Sequence, residues 1–527
     1  MRNLLPDLKQ LGYFKNNVTN SSGCIDASVL FVDVSGFTNM TRKLMEQGKD
    51  GAEILSEFMN TIFNPLIEAV YSYNGFIINF AGDAFTAVFK DDDGRRAVAT
   101  AIDIRTFFIG NPVLSHKELS FKISAKSGIS SGKLCWIAAK GGDIEHFLFF
   151  GDVVDKAAEA EHCCTGNDIC VNSIVYEMIH DSVESVFNGV SYFVEELKIQ
   201  IEKEHSESTL AIEDLKKFIP QSVLEQRIAG EFREVVSLFI SYKMPENNKD
   251  IENMLSYLAG FVQKYGGYIS GFDFGDKGAT LLALFGAPVS FEDNLERAVN
   301  CVSDIRKNIS TEMRSGITEE VVYTGFTGSS RRSAYTALGD NVNLAARLMM
   351  KAPFGSDWIA GKAASRAKSG YNLESSGFFK FKGMDCDIEV FEIKGKLNKE
   401  EGSSFSTAFT GRSMELAELV EMAIAAKDLK KFHSYTIFGE AGIGKSRLIY
   451  EVKRKAGGDF QILSLSTDTI LRQSMNMFTS FFQRFFDQNE NVSADENKLN
   501  FEKIWSSVSA DVIGRKNEFE AAKPYIG

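Results

Sequence analysis

A chain of 527 residues, 44% hydrophobic and 24% charged, has the composition of a globular protein with about three to five domains and excludes a disordered polymer. Its 58 Lys and Arg stand against 71 Asp and Glu, a net charge of −13 with no basic block, which excludes an ordinary phosphate-neutralising nucleic-acid binder. Seven irregularly spaced cysteines form no disulfide framework, residues 1–20 carry no signal-peptide core, and no run approaches the ~18 apolar residues of a membrane span, so a soluble cytoplasmic protein in a reducing compartment is expected.

The first predicted element is the apolar, β-branched run Ala27–Val32, ending at Asp33 and followed by Val34, Ser35 and Gly36. A long helical pattern opens near Thr38 and runs to about Tyr73. Asn74-Gly75 then leads into Phe76–Phe80, Ala81-Gly82-Asp83 and Ala84–Phe89, which reads as a hairpin with an acid at its turn. A helix over about 95–108 follows, then strands near 121–129 and 146–150, and a helix opened by Gly151-Asp152-Val153-Val154-Asp155. Strand, helix, two strands, helix, strand is a ferredoxin-like α+β order.

The order repeats. Val235–Ser241 answers the first strand, Tyr265–Phe285 answers the hairpin, and Gly339-Asp340-Asn341-Val342-Asn343 answers the Gly151 segment. Two copies of one domain are therefore expected at 20–215 and 225–395, with a charged, Ser-rich linker over 396–410. The remainder, 411–527, carries Gly439-Glu-Ala-Gly-Ile-Gly444-Lys445-Ser446 between a β-like run and a helical pattern. That is the full phosphate-loop template: backbone N–H groups cradle phosphates at a helix start, Lys445 meets the outer phosphates and Ser446 a magnesium. Only 81 residues follow Ser446 (527 − 446), so the start of an α/β nucleotide-binding domain is expected rather than a whole one.

The run around Asp33, the hairpin Phe80-Ala-Gly-Asp83-Ala, and Tyr335-Thr336-Ala-Leu-Gly339-Asp-Asn-Val-Asn343-Leu-Ala-Ala-Arg347 resemble class III nucleotidyl cyclases. The tandem order followed by a phosphate loop is similar to the soluble adenylyl cyclases, and the likeness runs from about residue 20 to the end. It implies an intramolecular pseudo-dimer, a monomeric catalytic core, and conversion of ATP to 3′,5′-cyclic AMP and pyrophosphate with two Mg²⁺ or Mn²⁺ ions. By resemblance Asp33, Val34 and Asp83 hold metal. Gly36, Phe37, Thr38 and Lys122 meet the nucleotide phosphates, Thr336 the adenine and Asn343 the ribose, and Arg347 stabilises the transition state. The residue types suit that chemistry: hard ions take carboxylates, a helix start offers N–H groups to phosphates, and charge growing on the α-phosphate calls for an arginine. Asn343 and Arg347, at i and i+4, share one helical face.

The copies are complementary. The first has both aspartates but Asp155 and Glu159 where the second has Asn343 and Arg347; the second has Ser241 where the first has Asp33. Packed head to tail they make one complete site and one degenerate site. Gly271 stands where ATP-using relatives carry an adenine-binding lysine, which leaves base selectivity open. It also leaves standing a reading from another class, a silent cyclase pair serving as the nucleotide-binding regulatory module of a phosphate-loop ATPase. Asn79 and Ala158 replace the cations through which mammalian soluble enzymes bind bicarbonate, so that activation is not implied. His162, Cys163, Cys164 and Cys170 lack zinc-pair spacing, Asp91–Asp93 reads as a solvated loop, and the Met/Phe stripe over 472–486 reads as core.

Overall fold

The computed structural model describes residues 4–15, 18–117, 119–204, 216–226, 230–275, 278–291, 293–368, 370–382, 384, 386–397, 409, 411–429, 434–438, 445–456, 482, 485–486, 494–511 and 523. Two compact units divide it, Met1–Lys396 and Leu397–Gly527.

After a two-stranded ladder of Phe14–Lys15 and Val18–Thr19, the first unit has β1 (Ser22–Ser35), α1 (Phe37–Met45), α2 (Gly48–Ser72), β2 (Phe76–Ala81), β3 (Ala84–Lys90) and α3 (Arg95–Gly110). It continues with β4 (Val113–His116), β5 (Leu119–Lys122), β6 (Ser124–Gly141), β7 (Ile144–Phe150), α4 (Asp152–His162), β8 (Ile169–Val171), α5 (Ser173–Ile179), β9 (Val183–Phe187) and β10 (Tyr192–Leu197). Strand order in the eight-stranded sheet is β9-β10-β8-β6-β1-β3-β2, with β7 on β6; only β8 and β6 run parallel. β1 is central, and Val29, Leu30, Val32 and Val34 on its two faces are fully buried, as a strand covered on both sides must be.

Three expectations change here. The single helix over 38–73 is two, because the backbone leaves helical values at Gln47 (φ −90°, ψ 1°). Asp91–Asp93 is not merely solvated: the main-chain N–H groups of Arg96 and Ala97 donate to the Asp92 carboxylate at the start of α3, and Arg95 pairs with Asp93. Cys24 and Cys135 form a disulfide, because the antiparallel register of β1 and β6 sets residues 111 apart in sequence opposite one another. The other five cysteines are free, and no group of three metal-ligating side chains occurs among the described residues.

After a short α6 (Gln221–Leu224) the plan recurs: β11 (Gly230–Tyr242), α7 (Asn248–Lys264), β12 (Tyr268–Gly275), β13 (Gly278–Phe285), α8 (Asn294–Asn308), β14 (Met313–Gly328), β15 (Ser333–Leu338) and α9 (Asp340–Lys351). Then come β16 (Asp357–Ala360), α10 (Gly361–Ala367), β17 (Tyr371–Phe379) and β18 (Ile388–Lys396). The sheet reads β17-β18-β16-β14-β11-β13-β12 with β15 on β14, strand for strand the order of the first. Both hairpins even carry the same irregularity, between Ile77 and Asn79 and between Ile269 and Gly271. The fold is thus α+β with two similar sheets.

The halves pack reciprocally, α7 on β6 and α2 on β14, and β12 lies beside β7. Arg332, in the β14–β15 turn, is 4% exposed and donates to the carbonyls of Ile77 (3.2 Å), Ile78 (3.5 Å) and Ser333 (2.7 Å), so a second-half side chain is anchored in first-half backbone. The second unit has α11 (Ser413–Leu429), α12 (Lys445–Ala456) and α13 (Ala494–Asp511). Its buried Glu451 pairs with Arg447 and Arg454, and Phe486 packs on Phe501 and Trp505. No helix among the described residues is long and apolar enough to cross a membrane.

Candidate active site

The sheet edges of the two halves meet at a cleft of about 170 Å³. From the first half come Phe37 and Thr41 of α1 and the β2–β3 turn with Gly82 and Asp83; from the second come Thr336 on β15 and Asn343 on α9. Residues more than 250 positions apart are joined because the halves pack head to tail.

Asp33 lies at the end of β1, in register with Ala84 on β3 and Lys126 on β6. The Val34 N–H donates to the Asp83 carbonyl (3.3 Å), which ties the acidic turn to the strand end. Desolvation, and then the neighbouring Asp33 charge, raise Asp83 from the ordinary carboxylate range to about 7. Lys126 opposes that shift and pairs with Asp33 at 3.2 Å. Two adjoining carboxylates are hard oxygen donors, which fits a divalent cation whose other ligands come from phosphate and water.

Gly36 turns the chain from β1 into α1 with φ 108°, and a β-carbon there would stand 2.4 Å from the Lys122 carbonyl oxygen. Phe37 and Thr38 open α1, a helix start without a side-chain cap at Gly36, where the first N–H groups have no partner within the helix. Lys122 ends β5 and is exposed.

On the opposite wall Thr336 is 4% exposed, and its hydroxyl shares a 2.9 Å hydrogen bond with Ser270. Asn343 is exposed at the start of α9. Arg347, one turn on, does not line the cleft: its guanidinium donates to the Lys382 carbonyl, and burial lowers its pKa against the pull of Asp340. Asp340 in turn pairs with Arg42 of α1 at 2.8 Å. The cleft lining therefore brings together Phe37, Asp83, Thr336 and Asn343; Asp33 and Val34 adjoin Asp83 but, like Gly36, Lys122 and Arg347, lie outside that lining.

Register also shows what sequence reading missed. Lys126 bridges Asp33 to Glu161 of α4, and a strand lysine carries no signal of that until its neighbour is known. Asn79 leans across the halves: its Nδ2 donates to Asp273 (3.2 Å), and its Oδ1 lies 3.6 Å from where a Gly271 β-carbon would be. In the second sheet Ser241 and Arg314 occupy the places of Asp33 and Lys126. Gly439 and Gly444 of the phosphate loop lie outside the described residues; Lys445 and Ser446 open α12.

Residues 20–209 match the family model described as "Adenylate and Guanylate cyclase catalytic domain". The chain is similar to "Adenylate cyclase type 10" of Homo sapiens, 26% identical over 66% of this chain and 25% of that protein. It is likewise similar to "Adenylate cyclase type 10" of Oryctolagus cuniculus, 25% identical over 86% of this chain and 32% of that protein. The chain thus spans about a quarter to a third of the length of these curated relatives. Among solved structures, a "Class III adenylyl cyclase-like ATP-binding protein from Pseudomonas aeruginosa" aligns over 66% of this chain and 85% of that one, with a TM-score of 0.47 and 14% identity.

Proposed function

We propose that this chain is an adenylyl cyclase that converts ATP to 3′,5′-cyclic AMP and pyrophosphate in the cleft between its two halves. The observation that carries the reading is the division of that cleft: Asp83 of the first half, with Asp33 beside it, shares the cleft with Thr336 and Asn343 of the second. In this reading the ribose 3′-oxygen forms a bond to the α-phosphorus, the bond to the bridging oxygen breaks, pyrophosphate leaves, and the hydroxyl proton passes to solvent. Asp33, Asp83 and the Val34 carbonyl hold Mg²⁺ or Mn²⁺, two ions in all. Such ions lower the pKa of the attacking hydroxyl and offset the leaving charge.

The rest falls to the chain. Gly36, Phe37 and Thr38 present backbone N–H groups to the β- and γ-phosphates, and Lys122 adds a mobile charge beside them. Asn343 orients the ribose and Thr336 the adenine edge. Arg347 turns from Lys382 to the α-phosphate oxygens as charge builds there. Gly439, Gly444, Lys445 and Ser446 form a separate nucleotide-binding loop. The protein is cytoplasmic in this reading, and its catalytic core works as a monomer.

The test is cyclic-nucleotide production by the full chain with ATP and with GTP, in Mn²⁺ and in Mg²⁺, beside Asp33→Ala and Arg347→Ala. Cyclic AMP from the wild type and a loss of about 10²-fold or more in each variant is the expected result. Unchanged output from Asp33→Ala overturns it. One observation favours a second reading, a nucleotide-binding module without turnover: Gly271 offers no side chain to the purine. Bound nucleotide with no cyclic product from the folded wild type is its signature.

A further inference from the structure

Among the described residues of the first half, Lys126 is the cation that pairs with Asp33, and it is held from two sides. Its register partner on β1 is Asp33, whose Oδ2 is 3.2 Å from Nζ. Behind it stands Glu161 of α4, paired with the same ammonium and only 3% exposed. α4 packs directly on β6, so closely that a β-carbon on Gly128 would stand 2.1 Å from the Ala157 carbonyl and 2.3 Å from the Glu161 nitrogen. Glu161 is thus buried on a closely packed helix, and the Lys126 side chain, with four rotatable bonds, lies between two carboxylates.

An ammonium paired with a carboxylate offsets the charge that would attract a divalent cation, and the two like charges repel across a few ångströms. A buried carboxylate that loses its cation pays a large desolvation cost, so Lys126 has a standing partner in Glu161 whenever it leaves Asp33. We propose that Lys126 is a resident counter-ion of the metal site. It neutralises Asp33 when no metal is present, competes with the incoming divalent cation, and withdraws wholly onto Glu161 when that cation binds. The inference rests on the metal-holding role proposed for Asp33 and Asp83, and it makes Lys126 a positioning residue that sets the metal concentration at which the site fills.

The experiment is a Mn²⁺ titration of the full chain, without nucleotide, followed by electron paramagnetic resonance of the free ion. Lys126→Met removes the competitor at nearly constant volume, and Mn²⁺ binding should tighten by about tenfold. Glu161→Gln takes away the alternative partner, so the lysine stays on Asp33 and binding should weaken several-fold. Because Lys126→Met leaves Glu161 buried without its cation, the double variant Lys126→Met/Glu161→Gln is measured as well; it too should bind Mn²⁺ more tightly than the wild type. Thermal unfolding of each variant reports a purely structural strut, which would lower stability and leave the Mn²⁺ affinity alone. Affinity within twofold of wild type, or weaker, in the folded double variant overturns the proposal. Asp33→Asn separates the two levels: if it abolishes Mn²⁺ binding while the lysine variants change nothing, the metal reading survives and the counter-ion role falls; if it binds as the wild type does, both fall.

Discussion

Gly36 shows how little tolerance a single position has. Its φ of 108° disfavours any side chain, and the Lys122 carbonyl fills the space a β-carbon would need. Gly36→Ala should cost about 1–3 kcal/mol in denaturant unfolding, and because the strain falls on the turn into α1 it should also weaken nucleotide binding. An unfolding midpoint equal to wild type would contradict this. At the same scale lies the boundary of what the sequence discloses. Asp33, Asp83 and Asn343 were legible because each sits in a run whose neighbours mark a strand end, a hairpin turn or a helix start. Lys126 and Glu161 were not, since their meaning comes from which residue faces them across a sheet or helix contact. The role of Asn79 was equally hidden: its partner, Asp273, is 194 residues away.

At the level of elements, the β14–β15 turn anchors one half in the other. Arg332 is buried there against three carbonyls and over the Phe80 ring (5.4 Å), and burial brings its pKa down to about 10 without neutralising it. Arg332→Met keeps most of the apolar stem but leaves the Ile77 and Ile78 carbonyls without a charged donor. A loss of about 2–3 kcal/mol is expected in equilibrium unfolding, with cyclase output reduced because the cleft spans the joint. A change under about 0.5 kcal/mol would show that the joint is held elsewhere. The order of elements was readable from periodicity and turn residues, including the repeat. What escaped was of another kind: the break at Gln47 depends on backbone geometry, and the Asp92 cap and the Cys24–Cys135 link depend on where the chain returns.

Across the whole first unit the two sheets carry the same strand order, so the packing between them decides behaviour that neither half has alone. His146 on β7 is partly buried at this junction, its ring 5.7 Å from Phe272 of β12. Desolvation lowers its pKa from 6.5 to about 4. The folded state therefore stays neutral where the unfolded chain takes up a proton. Stability is complete above pH 6.5, falls as the pH drops from 6.5 toward 4, and loses up to about 2 kcal/mol by pH 5. His146→Phe should abolish that component, so the gap in melting temperature between pH 7.5 and pH 5 should narrow relative to wild type. An unchanged gap would place the acid sensitivity in other groups.

The reciprocal packing of two unlike halves within one polypeptide has a consequence for dilution. Separate subunits would have to meet, and random pairing of a carboxylate half with an asparagine half would waste encounters on like pairs. A covalent tether holds the complementary partner at a local concentration on the order of millimolar, whatever the abundance of the protein. Every molecule then holds one copy of each wall, and under the proposed activity the output per molecule should not change on dilution. With the complementary wall always tethered alongside, the second sheet can carry Ser241 at the place where the first carries Asp33.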